Sequence, residues 1–111
     1  MIELNDQTAD IVADRFRALG DATRLRILNT LRAGESTVGH LVSETGLGQA
    51  NVSKHLQTLH RQGFVERRKD GTRTIYWVDD PAVFELCDLV CGKIRDHLER
   101  QREALGQGAG G

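Results

Sequence analysis

The sequence predicts a mainly helical fold with a small β-hairpin, arranged as a winged helix-turn-helix. Residues 37–63 read as a short helix, a tight glycine-containing turn and a longer helix, which is the helix-turn-helix arrangement. Two short segments then flank Asp70-Gly71, a dipeptide typical of two-residue hairpins. A hairpin directly after a helix-turn-helix forms a wing, and one further helix completes the predicted order.

The length and composition fit one globular domain. The chain has 111 residues, of which 39% are hydrophobic and 28% charged, an ordinary balance for a folded protein. We expect one domain over residues 1–105 and a disordered glycine-rich tail over residues 106–111. No apolar run approaches the ~18 residues that span a membrane, and the N-terminus lacks a secretion signal. These features predict a cytoplasmic protein with no membrane partner.

Two helices are predicted ahead of the helix-turn-helix. The first has apolar side chains at i, i+4 and i+7 and ends near Gly20, and the second begins after Asp21, a favourable N-cap. The apolar positions of these two helices, in chain order, are Val12, Phe16, Leu19, Leu25, Leu28 and Leu31.

The helix-turn-helix itself is bounded by capping and turn residues. Thr37 can cap its first helix and Gly46 can end it, while Gly63 ends the second helix. The inward-facing positions of the second helix are Val52, Leu56 and Leu59.

The wing and the last helix also follow from local signals. Phe64–Lys69 and Thr72–Val78 are the two predicted strands, and the second is rich in β-branched and aromatic residues. Asp80-Pro81 pairs an N-cap with a proline at the first helical position. A last helix is expected from there to about residue 104.

The distribution of charge indicates that one face of the protein binds phosphate groups. The whole chain has a net charge of -1, but residues 49–76 carry six basic and two acidic side chains, a net charge of +4. The flanking segments are acidic in compensation. Such asymmetry is more informative about partners than the total, so we expect the 49–76 face to approach nucleic-acid phosphate.

The outer surface of the second helix of the motif carries the side chains that read bases. Gln and Asn can pair with adenine, and Lys suits guanine or phosphate, although any solvated helix face carries similar residues. Cations of the wing can lie along the backbone or enter the minor groove. The candidate DNA contacts are Thr37, Gln49, Asn51, Ser53, Lys54, His55, Arg67, Arg68, Lys69 and Arg73.

Residues 16–35 (FRALGDATRLRILNTLRAGE) and 51–78 (NVSKHLQTLHRQGFVERRKDGTRTIYWV) together resemble the ArsR/SmtB family of bacterial winged-helix repressors. The resemblance implies a homodimer built through the first and fifth helices. It implies a pseudo-palindromic double-stranded DNA operator, released when a metal, a metalloid or a reactive sulfur or oxygen species is sensed. By position, Gln49, Ser53, Lys54 and Arg73 would be the main DNA contacts.

Two effector sites common in that family are missing. The third helix begins Ser36-Thr37-Val38 and has no cysteine pair, which removes the known arsenic, cadmium and lead site. In the last helix, Leu86 and Arg100 occupy positions where the family's zinc site has ligands. The recognition helix also begins with Gly48 where the family usually has serine, and His40 replaces a common glutamate.

The last helix has its own candidate sensor. Cys87 and Cys91 are four residues apart and share a face. Their Cβ atoms would be ~5–6 Å apart, too far for a disulfide within the helix, but two thiolates can share one soft ion. Pairing with a second copy could gather more thiols or form an intersubunit bond. Alternatively, both cysteines only pack in the apolar stripe of Phe84, Cys87, Cys91, Ile94 and Leu98.

We therefore predict a sequence-specific repressor that is released by a signal at Cys87 and Cys91. The sequence points to no certain cofactor; a thiolate-bound metal or metalloid ion is a candidate, and His97, beside Asp96 and Glu99, could assist it. The main alternative is a repressor with inert cysteines, controlled by a partner or by its abundance. A protein-binding winged helix is a further alternative. An enzyme is disfavoured because the sequence has no phosphate-binding loop, dinucleotide fingerprint or paired nucleophile and base.

Overall fold

The computed structural model describes residues 2–110, with side-chain exposure given as far as residue 106. The chain consists of two compact units, with the boundary in the sequence between Asp80 and Pro81. The elements in chain order are α1 (Asp6–Leu19), α2 (Ala22–Leu31), β1 (Ser36–Thr37), α3 (Val38–Thr45), α4 (Gln49–Arg61), β2 (Glu66–Asp70), β3 (Arg73–Trp77) and α5 (Ala82–Gly110). The predicted winged helix-turn-helix is confirmed: α3 and α4 form the motif, and β2 and β3 form the wing.

Side chains cap the first two helices. The Asn5 side chain accepts hydrogen bonds from the backbone N–H groups of Gln7 and Thr8, while the Thr8 hydroxyl accepts one from the Asn5 N–H. Asp21 accepts a bond of 3.1 Å from the N–H of Arg24, as the sequence predicted for the start of α2.

The core of the first unit is formed by α2, α3, α4 and the sheet. The predicted inward positions of α4 are all fully buried, whereas two residues of the apolar faces predicted for α1 and α2 are exposed: Phe16 by 58% and Leu25 by 39%. On α2, Ile27 joins Leu28 and Leu31 in the core instead. Positions i, i+1 and i+4 fall within one stripe about 100° wide, and Leu25 lies outside it.

The helix-turn-helix matches its sequence signals closely. The Thr37 hydroxyl accepts a 3.1 Å hydrogen bond from the N–H of His40, which confirms Thr37 as the cap of α3. Gly46 ends α3 with φ of 74°, a left-handed conformation that glycine adopts without steric cost.

The sheet has three antiparallel strands in the order β1-β3-β2, and β1 was not predicted. A two-residue strand is too short to leave a sequence pattern. The predicted turn is also shifted by one residue: Asp70 pairs with Arg73, so Gly71 and Thr72 form the loop rather than Asp70 and Gly71. Gly71 has φ of 64° and no non-glycine residue among those described has positive φ. Glycine at only the first loop position fits a type II′ turn.

The last helix is longer than predicted. It continues to Gly110, whereas the sequence favoured an end near residue 104 and a disordered tail over residues 106–111. The segment has no proline, so a long helix can propagate into it although glycine is a poor helix former. Residue 111 lies outside the described residues. None of the described helices is long and apolar enough to cross a membrane.

Candidate nucleic-acid interface

The start of α4 presents a cluster of polar side chains. Gln49, Asn51 and Lys54 are exposed and Ser53 is half-buried. Gly48 precedes the helix and provides no side-chain cap, so the first backbone N–H groups are open to an external acceptor such as phosphate. Four of the predicted contacts on α4 are therefore placed where they could reach a DNA groove.

His55 does not belong to that outer surface. Its side chain is buried, and its Nδ1 accepts a 3.1 Å hydrogen bond from the Nε–H of Arg24. This burial disfavours the predicted direct contact from His55 to DNA. The sequence carried the signal for this: Val52, His55, Leu56 and Leu59 recur at i, i+3, i+4 and i+7, the spacing of a core-facing stripe.

Arg24 is a structural residue that the sequence reasoning missed. Besides His55, its guanidinium donates to the carbonyl oxygens of Arg17 (3.4 Å) and Ala18 (3.1 Å). It therefore joins the end of α1, the start of α2 and the middle of α4. Asp21 lies at the same junction. The hydrogen bond from the backbone of Arg24, helped by the charge of its guanidinium, holds the pKa of Asp21 below its usual range.

The four predicted wing cations are divided between the two faces of the hairpin. Side chains of paired residues share a face in an antiparallel sheet. Arg67 pairs with Tyr76 and Lys69 pairs with Thr74, so Arg67 and Lys69 lie on one face. Arg68 and Arg73 lie on the other.

Only one of these faces has its positive charge compensated. Arg68 is 2.9 Å from Glu35, and Arg73 is 3.9 Å from Asp70. Arg67 and Lys69 are exposed, and no ion pair within the described part of the chain involves either. The face that carries these two side chains is therefore the more electropositive face of the wing.

Arg68 makes the most specific side-chain contact of the wing. It donates two hydrogen bonds of 2.9 Å, one to each carboxylate oxygen of Glu35. Its guanidinium carbon lies 5.3 Å from the ring centroid of Trp77, within range of a cation–π interaction. The hydrogen bonds from Arg68 lower the pKa of Glu35, and Glu35 raises the pKa of Arg68. Both side chains of the pair are about half-exposed, at 48% and 53%.

Helix α5 places the two cysteines on its surface. Cys87 is half-buried, Cys91 is exposed, and neither is part of a disulfide. Within residues 2–110, no three His, Cys, Asp or Glu side chains are grouped closely enough to hold a metal ion. The suggested assistance from His97, Asp96 and Glu99 thus finds no support in one copy of the chain.

Two helices expose unusually apolar surfaces. Ile11 and Phe16 of α1 are each 58% exposed. On α5, large apolar side chains are between 51% and 75% exposed: Leu89, Val90, Ile94, Leu98 and Leu105. Several exposed large apolar side chains on one helix are typical of an interaction surface.

Comparison with known proteins agrees with this geometry. Residues 21–67 match the model for bacterial regulatory proteins of the arsR family. A probable mercury resistance operon repressor of Streptomyces lividans is 43% identical over 69% of this chain, which spans 62% of that relative's length.

Two solved structures share the fold. One is a homodimeric winged helix-turn-helix DNA-binding domain from Mycobacterium bovis, a possible ArsR-family transcriptional regulator. It is 36% identical to this chain and superposes with a TM-score of 0.73. The match covers 88% of this chain and 94% of the Mycobacterium bovis domain. The AntR antimony-specific transcriptional repressor is 27% identical to this chain, with a TM-score of 0.74. The match covers 89% of this chain and 90% of the AntR chain. These relatives are transcriptional regulators rather than enzymes, and the chain belongs to the arsR family of bacterial regulatory proteins.

Proposed function

We propose that the chain is a cytoplasmic repressor that binds a specific DNA operator as a homodimer and is released by a signal at Cys87 and Cys91. The observation that carries the DNA-binding part is the exposed polar cluster of Gln49, Asn51 and Lys54 at the uncapped start of α4. Amide side chains and an ammonium group at a helix N-terminus suit the edges of bases and the adjacent phosphates.

A dimer accounts for the exposed apolar surfaces of α1 and α5. Leaving several large apolar side chains in water is unfavourable, and a symmetric partner covers the same patch on both copies. The Mycobacterium bovis relative is homodimeric. Two recognition helices related by a two-fold axis would read a pseudo-palindromic operator, with half-sites ~34–36 Å apart.

The cysteine pair is the proposed sensor. The two thiols are one helical turn apart on α5, and the exposure of Cys91 allows a reagent to reach it. Thiolates prefer soft ions such as arsenic(III) or mercury(II), and they are also the groups that reactive sulfur and oxygen species attack. The names of the two metal-related relatives refer to mercury and antimony, both thiophilic elements.

Because the described residues of one copy bring no third ligand to the two thiols, a complete soft-metal site would need thiols from both copies. Binding there would favour a dimer geometry that no longer spans the two half-sites. A coupling free energy of about 1–3 kcal/mol would lower operator affinity about 5–150-fold.

A gel shift with DNA from upstream of its own gene tests this function. Binding is measured under reduction and then with arsenite, cadmium, zinc, nickel, polysulfide and peroxide in turn. We expect one treatment to release the DNA, and we expect Cys87→Ser/Cys91→Ser to bind DNA normally but ignore that treatment. A response that survives both substitutions contradicts the sensing role of the cysteines. Failure of the reduced protein to bind this DNA contradicts the proposed operator binding.

The competing function is a repressor with inert cysteines, regulated by a partner or by abundance. The half-buried position of Cys87 favours it, since a small apolar side chain packs well there. In that case every treatment leaves the gel shift unchanged in both proteins.

A further inference from the structure

Arg68 reaches across the whole sheet. It lies on β2, at one edge, whereas Glu35 immediately precedes β1, at the other edge. Ser36 pairs with Tyr76, so Glu35 lies beside Trp77 of the central strand. The guanidinium therefore passes over the Trp77 ring before it meets the carboxylate.

The far end of this contact is joined directly to the helix-turn-helix. Glu35 is two residues before Thr37, whose hydroxyl caps α3. The near end is on β2 between Arg67 and Lys69, the two wing cations that no ion pair compensates within the described residues. The Arg68 side chain thus connects β2, the strand that carries Arg67 and Lys69, to the start of the helix-turn-helix.

We propose that Arg68 is a positioning residue, which with Glu35 and Trp77 fixes the wing relative to α3 and α4 and does not itself contact DNA. The phosphate contacts of the wing come from Arg67 and Lys69 on the opposite face. This inference rests on the proposed DNA binding, because the wing needs a fixed orientation only if it docks with the recognition helix.

The chemistry of the contact favours this role. A bidentate guanidinium–carboxylate pair fixes orientation as well as distance, and the ring below limits the remaining freedom of the side chain. Release of Arg68 toward a phosphate would leave Glu35 without its partner and bring a carboxylate near DNA. Arg67 and Lys69 can reach a phosphate with no such loss.

The pair is half-exposed, and exposed ion pairs contribute little to folding. Its disruption should therefore leave the protein folded while it loosens the wing. The loss of operator affinity cannot exceed the free energy of the contact itself. For a bidentate ion pair with a cation–π contact, we therefore expect operator affinity to fall about two- to tenfold.

Four variants test the proposal: Glu35→Gln, Arg68→Gln, the double variant, and Lys69→Gln as the matched control for loss of one wing cation. Trp77 is the only tryptophan of the chain, so its fluorescence reports on the contact without DNA. Operator affinity is measured over a salt series, because each lost phosphate contact lowers the slope by about one.

We expect Glu35→Gln and Arg68→Gln to change Trp77 fluorescence alike and to weaken binding by similar factors. The double variant should be no weaker than either single one, since both remove the same interaction. Arg68→Gln should keep the wild-type salt slope, whereas Lys69→Gln should lower it.

The opposite pattern overturns the proposal. If Arg68→Gln lowers the salt slope while Glu35→Gln leaves affinity unchanged or raises it, Arg68 contacts DNA directly. If the wild-type chain binds no operator, the proposed function fails and the positioning role fails with it. Even then, unchanged Trp77 fluorescence in Arg68→Gln would separately rule out the contact between Arg68 and the Trp77 ring.

Discussion

Helices α4 and α5 are both amphipathic, but their apolar faces have opposite surroundings. Val52, Leu56 and Leu59 of α4 are fully buried, whereas Ile94 and Leu98 of α5 are more than half exposed. The apolar face of α4 is satisfied inside one chain, so its polar face is available for a ligand. The exposed apolar residues of α5 are not covered within the described part of one chain, so the proposed second copy would cover them.

The first prediction separates the buried face of α4 from its exposed face by their effect on folding. Leu56→Ala should reduce the free energy of unfolding by about 2–5 kcal/mol, because it leaves a cavity in the core. Urea denaturation measures the loss. The neighbouring exposed residue provides the control, and Gln57→Ala should change stability by less than about 0.5 kcal/mol. Equal losses of stability for both variants would mean that the Leu56 face of α4 is not part of the core.

The second prediction concerns association. Leu98→Asp should weaken the proposed dimer by about 2–3 kcal/mol, since a symmetric interface loses two partly buried leucines and gains two charges. Sedimentation at several protein concentrations measures the dissociation constant. Arg100→Asp introduces the same residue on the opposite side of α5 and should leave association nearly unchanged. A dimer that tolerates Leu98→Asp would place its interface elsewhere.

The third and smallest prediction concerns the cap of α2. Asp21→Ala should cost about 1 kcal/mol of folding free energy through loss of the cap, with no effect on association. Because the pKa of Asp21 is lowered in the folded state, its ionisation stabilises the fold above its unfolded pKa, and this stabilisation is lost as the pH falls through the folded pKa.

Asp21→Asn separates the two contributions, since asparagine also caps well but does not titrate. The stability difference between wild type and Asp21→Asn, measured by urea denaturation, should shrink as the pH is lowered from 6 into the acid range. A difference that is constant with pH would mean that the charge of Asp21 does not contribute.

Features that depend on near neighbours were predictable from the sequence. Asp21, Thr37 and Gly46 mark helix ends because capping needs only the next few residues. The helix-turn-helix followed from the spacing of apolar and turn residues, and the resemblance of residues 16–35 and 51–78 to the family indicated the family itself. The prediction that the basic 49–76 segment approaches phosphate stays a prediction.

Features that depend on pairing between distant segments were decided only by the tertiary structure. The strand β1, the one-residue shift of the turn and the partner of Arg68 all require the register of three strands, and a shift of one residue moves a side chain to the opposite face. For His55, the spacing already indicated burial, and only its partner required the structure. Its type suggested a surface contact, but its position in the stripe of Val52 and Leu56 placed it against Arg24, 31 residues away in sequence. The sequence by itself determined the helices, the wing and their order, while the structure decided which side chains are buried and which are exposed, because burial depends on long-range packing rather than on residue type.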